Sequence, residues 1–162
     1  MRGPRWRRGL QEGRTSTVEA LEALEAHARD ANVFGQIQLD PTQEHLECQA
    51  QNAGAPAFYR IEHADGQWFV SLSTPDRWLS ESIEAELMHS GDSIQELIEE
   101  ELVDLGEDPD VVPVEHFRND EMLYVFRTPL PSHISEGNVL TWLLAYEAAF
   151  RPLGDMSAEG DD

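Results

Sequence analysis

The stretch FYRIEHADGQWFVSLST, residues 58–74, decides the fold. Phe58 to His63 and Gln67 to Ser73 run at strand period, and Asp65-Gly66 between them is a dipeptide that suits a two-residue hairpin turn with positive φ. This predicts two antiparallel strands. Trp68, Val70 and Leu72 alternate with Gln67, Ser71 and Ser73, so one face of the sheet turns to a core and the other is polar enough for water.

Working back toward the N-terminus, Asn52 to Pro56 interrupts the pattern. Before it, Leu46, Cys48 and Ala50 alternate with Glu47, Gln49 and Gln51. Asp40-Pro41-Thr42-Gln43 forms a turn, and Val33, Gly35, Ile37 and Leu39 alternate with Phe34, Gln36 and Gln38. A four-stranded antiparallel meander is expected. It is preceded by a helix from about Thr17 to Ala31, with a capping box at Ser16 and Glu19 and an apolar stripe of Val18, Leu21, Leu24, Ala28 and Ala31.

Toward the C-terminus, Thr74-Pro75-Asp76 opens a helix that carries Leu79, Ile83 and Leu87 to about His89. Ser90-Gly91 breaks it, and Asp92-Ser93 starts a second helix that Gly106 ends. Val111 to Phe117 and Glu121 to Thr128 then form a hairpin around Arg118-Asn119-Asp120. Pro113, lacking an amide donor, suits a strand at a sheet edge or a bulge. A last helix starts near Ser132 to Ser135 and ends near Phe150, ahead of Pro152. The fold class is therefore α+β: a four-strand meander plus a C-terminal hairpin, packed against N- and C-terminal helices, with a helical insertion between the strand groups.

Charge sets the boundaries and excludes partners. Residues 1–14 carry five Arg against Glu12, a net of +4, so −25 of the total −21 lies on the rest. These basic residues show no apolar period and read as a disordered arm; 15–153 reads as one domain, and 154–162 as a disordered acidic tail. A polyanion with no Lys repels phosphates, which excludes nucleic acid as a partner; attraction to a basic partner or simple solubility accounts for the acidity. No apolar run reaches the roughly 18 residues of a membrane span, and no apolar segment follows the N-terminal arginines as in a secretory leader. A cytoplasmic location is expected.

The segment Met122-Leu123-Tyr124-Val125-Phe126-Arg127-Thr128, followed by Pro129-Leu130-Pro131, Ile134-Ser135 and a helix with Val139, Leu143 and Leu144, resembles the YbjN-like family. The element order over residues 17–153 is similar to that family and to the type III secretion chaperones whose fold it shares. The helical segment from Asp76 to Leu105 is longer than the single helix of the chaperones. What the resemblance implies is a non-enzymatic, dimeric binding or regulatory domain. Such a module would hold a partner polypeptide, the alternative being a small-ligand sensor on the same fold and, after that, an enzyme without a linear motif.

The residues offer little chemistry. Cys48 stands alone, so neither a disulfide nor a Cys-x-x-Cys unit exists, and six His form no His-Glu-x-x-His pair. His45 and Glu47 share a strand face with Cys48 opposite, which is no ligand set. Glu62-His63 and Glu115-His116 likewise point apart and read as rim positions. No catalytic, metal or cofactor residue is assigned. Trp78 and Trp142 adjoin the buried positions Leu79 and Leu143 and read as half-buried aromatics; with Leu140 and Leu144, surplus apolar residues of the last helix, they form a candidate interface. Either the helices from Asp76 to Leu105 cover that surplus or a second chain does, with the sheet edge as another contact.

Overall fold

A computed structural model describes residues 5–160 apart from 43, 110, 111, 132 and 133, with side chains from Thr17 to Ser157 except that of residue 136. In chain order the elements are α1 (Arg5–Ala31), β1 (Phe34–Asp40), β2 (His45–Ala50), β3 (Phe58–Ala64), β4 (Gln67–Thr74), α2 (Arg77–Ser90), α3 (Ile94–Asp104), β5 (Glu115–Arg118), β6 (Tyr124–Pro129) and α4 (Glu136–Phe150), closed by a 3-10 turn over Gly154–Gly160. The strands form one antiparallel six-stranded sheet in the order β1-β2-β3-β4-β6-β5. The α+β architecture is the one expected.

Cross-strand partners share a face of a sheet. Tyr59, Leu72, Phe126 and His116 make one such row, beside Leu46, Ile61, Val70 and Thr128. On this side lies α4: the Tyr146 and Thr128 hydroxyls are 2.6 Å apart and the Phe150 ring lies 5.1 Å from Phe126. From α2, Ser80 and Glu84 reach His116 on the same side. α1 packs on β1 and α4, and α3 runs along α4. All four helices thus cover one side, with Leu21, Leu46, Ile61, Leu72, Leu143 and Phe150 fully buried between the layers.

Helix ends follow the capping residues. Ser93 and Ser135 cap α3 and α4 by accepting from Glu96 and Asn138, and Gly91 at φ 81° ends α2, as the spacing predicts. Asp76, not Thr74, caps α2, with Oδ1 accepting from the Leu79 amide at 2.9 Å. Thr74 instead donates to the Pro56 carbonyl and accepts from the Asp76 amide, so Pro75 precedes the cap instead of filling the first turn.

Three boundaries and one strand's parity depart from expectation. α1 begins at Arg5, so Ser16 and Glu19 lie inside it and its backbone runs through the expected arm; Leu, Gln, Glu and Arg in this stretch are good helix formers, and no proline stops them. A bulge between Phe34 and Ile37 reverses the parity of β1, which moves Phe34 from the expected outer face to the core, its ring 5.8 Å from Tyr59. β5 starts at Glu115: Val111 lies outside the described residues, Val112 donates to Glu99 instead of a strand, and Pro113 has no amide to give. In the hairpin turn, Asn119 Oδ1 accepts from Glu121 and Leu123, which delays β6 to Tyr124.

The expected acidic tail also begins too early. Leu153 and Met156 are buried, the Gly154 amide donates to Glu86 at 2.8 Å, and the Asp155 amide donates to Ser82 at 2.9 Å. Gly154 sits at φ 51° with Ser82 so close that a Cβ would lie 2.5 Å from its oxygen. Apolar residues at 153 and 156, one turn apart, fasten this segment to α2, and the domain extends at least to Met156.

Candidate functional site: the open face of the sheet

No described helix lies on the opposite side of the sheet. Its central row is Glu115, Arg127, Ser71, Arg60 and Glu47, on β5, β6, β4, β3 and β2. On one flank run Phe117, Val125, Ser73, Phe58 and Gln49; on the other, Pro129, Phe69, Glu62 and His45. Phe58, Phe69 and Phe117 are half-buried.

Arg127 organises the row. Its guanidinium carbon lies 4.5 Å from the Phe69 ring centroid and 5.1 Å from that of Phe117, and Nη2 donates to Glu115 at 3.1 Å. A guanidinium held between two rings gains cation–π attraction and loses rotameric freedom. Arg60 donates through Nε to Glu47 at 2.7 Å. Ser71 and Ser73 are each 2% exposed, so the long side chains beside them have closed over the hydroxyls expected to meet water. Among the described residues, the buried side-chain polar atoms without a hydrogen-bond partner are Ser73 Oγ and Arg127 Nε. Both belong to this face. Leaving such groups unpaired costs about 1–3 kcal/mol each, which stability alone does not explain.

The candidate interface residues do not come together. Trp142 is 5% exposed and packs in the core, which corrects its expected place as a half-buried aromatic of an interface; α4 is packed against α1 and α3 as well as the sheet, so little of it is left open. Leu140 and Leu144 are half-buried against the core, and α3 along α4 covers the apolar surplus, one of the two outcomes expected. Only Trp78, 73% exposed, remains available, and it shares the outer face of α2 with Met88. The sheet edges are blunted: Gln51 donates to the Phe34 carbonyl at 2.8 Å, Arg29 to that of Ile37 at 3.1 Å, and β5 has four residues.

Sequence reading missed Phe58, Phe69, Phe117 and Arg127. The signal was present as parity: Phe69 shares a face with Ser71 and Ser73, and Phe58 with Arg60 and Glu62, opposite to the apolar parity that builds the core.

His116 is the exposed rim residue expected, on the edge strand β5, but its ring is anchored at both nitrogens. Nδ1 lies 2.7 Å from Glu84 Oε1, Nε2 lies 3.3 Å from Ser80 Oγ, and the ring stacks on Phe126 at 3.8 Å. The order Ser, His, Glu is that of a nucleophile, base and orienting carboxylate. Yet Ser80 is 2% exposed in the body of α2, not on a strained strand-to-helix turn, so its hydroxyl is closed to a substrate and serves to fasten the edge hairpin to α2. Desolvation lowers the His116 pKa, partly opposed by Glu84. Burial pushes the Cys48 thiol up to about 12, helped by Glu47.

Three hollows bear on a small ligand, the most voluminous a shallow, open depression of about 460 Å³ on α3, lined by Glu96, Glu99, Glu100, Val103 and Asp104. An apolar cavity lined by Leu24, Trp68, Ile134 and Val139 holds about 40 Å³, room for a water-sized group and well below a ligand site of roughly 300–1,000 Å³. A polar cleft of about 260 Å³ is lined by Asn32, Gln51, Asn52, Glu147 and Arg151, where Arg151 already donates through Nε to Glu147 at 2.7 Å. No family model matches the chain, and neither the curated proteins nor the solved structures give a match.

Proposed function

We propose that this domain is a non-enzymatic protein-binding module that holds a partner polypeptide on the open face of its sheet, in the cytoplasm and as a homodimer. The observation that carries the reading is the cluster of three half-buried phenylalanines around a ring-clamped arginine, on a side to which no described helix packs. Aromatic residues and Arg supply most hot-spot energy in protein interfaces, the aromatics because they bring large area with few rotors and Arg through its planar, multi-donor fork. The blunted edges disfavour strand addition and leave the face as the receptor surface. The resemblance to the YbjN-like family and the secretion chaperones supports the same class of role.

A second copy fits the outer face of α2, where Trp78 and Met88, 73% and 84% exposed, stand at positions i and i+10. A self-complementary helix face is what a two-fold dimer requires. The test is a partner captured with the native chain and identified, then challenged with Phe69→Ser/Phe117→Ser. Loss of that partner with the thermal transition retained supports the reading, and undiminished binding by the folded variant refutes it.

A further inference from the structure

The open face differs in charge from the chain that carries it. The chain stands at −21, yet the central row of the face pairs Arg127 with Glu115 and Arg60 with Glu47. We infer that the occupant of this face is an amphipathic helix of the partner, with an uncharged apolar stripe lying along Phe69, Arg127 and Phe117. This rests on the protein-binding reading and names the structure and chemistry of the segment held.

The lack of charge follows from the pairs. Each arginine of the row has its carboxylate within the row, so the face offers no free counter-ion to an incoming side chain. A carboxylate over Arg127 would have to displace Glu115, and an ammonium over Glu115 would have to displace Arg127, so each exchange loses one pair for the one it makes. Over the rings, an unpaired charge loses hydration and gains nothing. Apolar side chains meet no such cost: Phe58, Phe69 and Phe117 are half-buried, and the area they still show to water can be covered. The Arg127 guanidinium, 4.5 Å and 5.1 Å from the Phe69 and Phe117 ring centroids, joins these two rings into one diagonal ridge across β4, β6 and β5. Glu62, His45 and Asp40, on β3, β2 and β1, lie beyond Phe69 and off this ridge.

Helicity follows from the backbone. A segment laid across the face of a sheet finds no main-chain partners there, because the strands direct their amides and carbonyls at one another. The edges that could pair it are blunted by Gln51, Arg29 and the shortness of β5. An extended segment would therefore bury unpaired amides against the rings, whereas a helix satisfies its own. The ridge also has helical length. Phe69 is opposite Pro129 and Phe117 opposite Val125, so the two lie two strand steps across the sheet and four residues along it, about 16 Å between backbones. Apolar positions i, i+4, i+7 and i+11 of a helix span about 16.5 Å.

Synthetic peptides of equal length test this, titrated into the full chain and followed by backbone amide NMR and circular dichroism. One carries Leu at i, i+4, i+7 and i+11 among Ala and Gln; a second has the same composition without the stripe; a third and a fourth replace the two central Leu with Glu or with Lys. The striped peptide should shift Phe58, Phe69, Ser71 and Phe117, gain helicity on binding, and change its Kd less than about twofold with added salt. The other three should bind at least about tenfold more weakly, and Phe69→Ser/Phe117→Ser should weaken the striped peptide by a similar factor. Should that variant fail to fold, Phe117→Ala should still weaken it severalfold. Equal binding of the stripeless peptide, tighter binding of either charged one, an unchanged affinity in the phenylalanine variants, or no response to any peptide overturns the inference. The protein-binding reading fails separately, when Phe69→Ser/Phe117→Ser keeps its captured partner. If that partner is lost but the segment of it cross-linked at positions 69 and 117 is extended or charged, the helix alone is refuted.

Discussion

The covered and open faces of the sheet are made by the same six strands, yet they solve different problems. On the covered face apolar residues meet a helix: Tyr59, Leu72 and Phe126 face α4, and of the imidazoles there His116 has both nitrogens occupied while His63 packs on Trp68. On the open face polar and aromatic residues alternate across the strands, the Arg127–Glu115 pair stands near half exposure, the Arg60–Glu47 pair is more deeply set, and two buried polar atoms lack partners. A face built for stability satisfies its groups within the chain. One that leaves phenylalanine rings half-buried has them available to something else.

The difference should show first in stability. Phe150→Ala removes a ring with no exposure, packed on Phe126 and Tyr146, and should cost about 3–5 kcal/mol, read from urea midpoints. Trp142→Ala should fall in the same range. By contrast Phe117→Ala should cost no more than about 1.5 kcal/mol, since a half-buried ring loses less than its full transfer energy. Equal losses on both faces would erase the distinction.

Much of this was legible beforehand, for identifiable reasons. Asp65-Gly66 specifies its turn through backbone conformation alone, and Ser93, Gly91 and Ser135 act within one turn of chain, so local rules suffice. The bulge at Phe34 was hidden because an extra residue reverses parity without changing composition. Long-range partners were hidden for another reason. Glu86 reaching Gly154 and Glu84 reaching His116 are contacts made by topology, which no spacing in the chain announces. The open face was half legible: its parity could be read, but that no helix covers it is a property of the whole assembly.

Smaller effects sharpen the contrast. Trp78→Glu lies on neither face of the sheet and should leave the thermal transition within a few degrees while converting a dimer to a monomer in sedimentation. A folded dimer that persists would remove α2 from the interface.

The pH dependence separates local from global electrostatics. His116 has a folded-state pKa below the ordinary value of 6.5, so the unfolded chain binds its proton first; the stability it contributes is complete above that value and is lost as pH falls below it. Repulsion among 32 carboxylates acts oppositely, favouring mild acidification toward about pH 5.5 and added salt. His116→Gln should therefore gain more stability than the parent chain on moving from pH 7 to 5.5. An identical response in both chains would show that the hairpin latch does not titrate. Least of all should Cys48 respond: with its thiol pushed up to about 12 and no exposure, it should resist alkylation at pH 8 in the native state and react only on unfolding.

Site-specific photo-cross-linking compares the surfaces in a single measurement. A benzophenone side chain is placed in turn at Phe69 and Phe117 on the open face, and at Trp78 and Val103 on the exposed helices. Positions 69 and 117 should give adducts with the captured partner, Trp78 an adduct with a second copy of the chain, and Val103 neither. Partner adducts from Val103 or Trp78, with none from 69 and 117, would mean that the polypeptide is held on the helical side and that the open face is only a solvated surface.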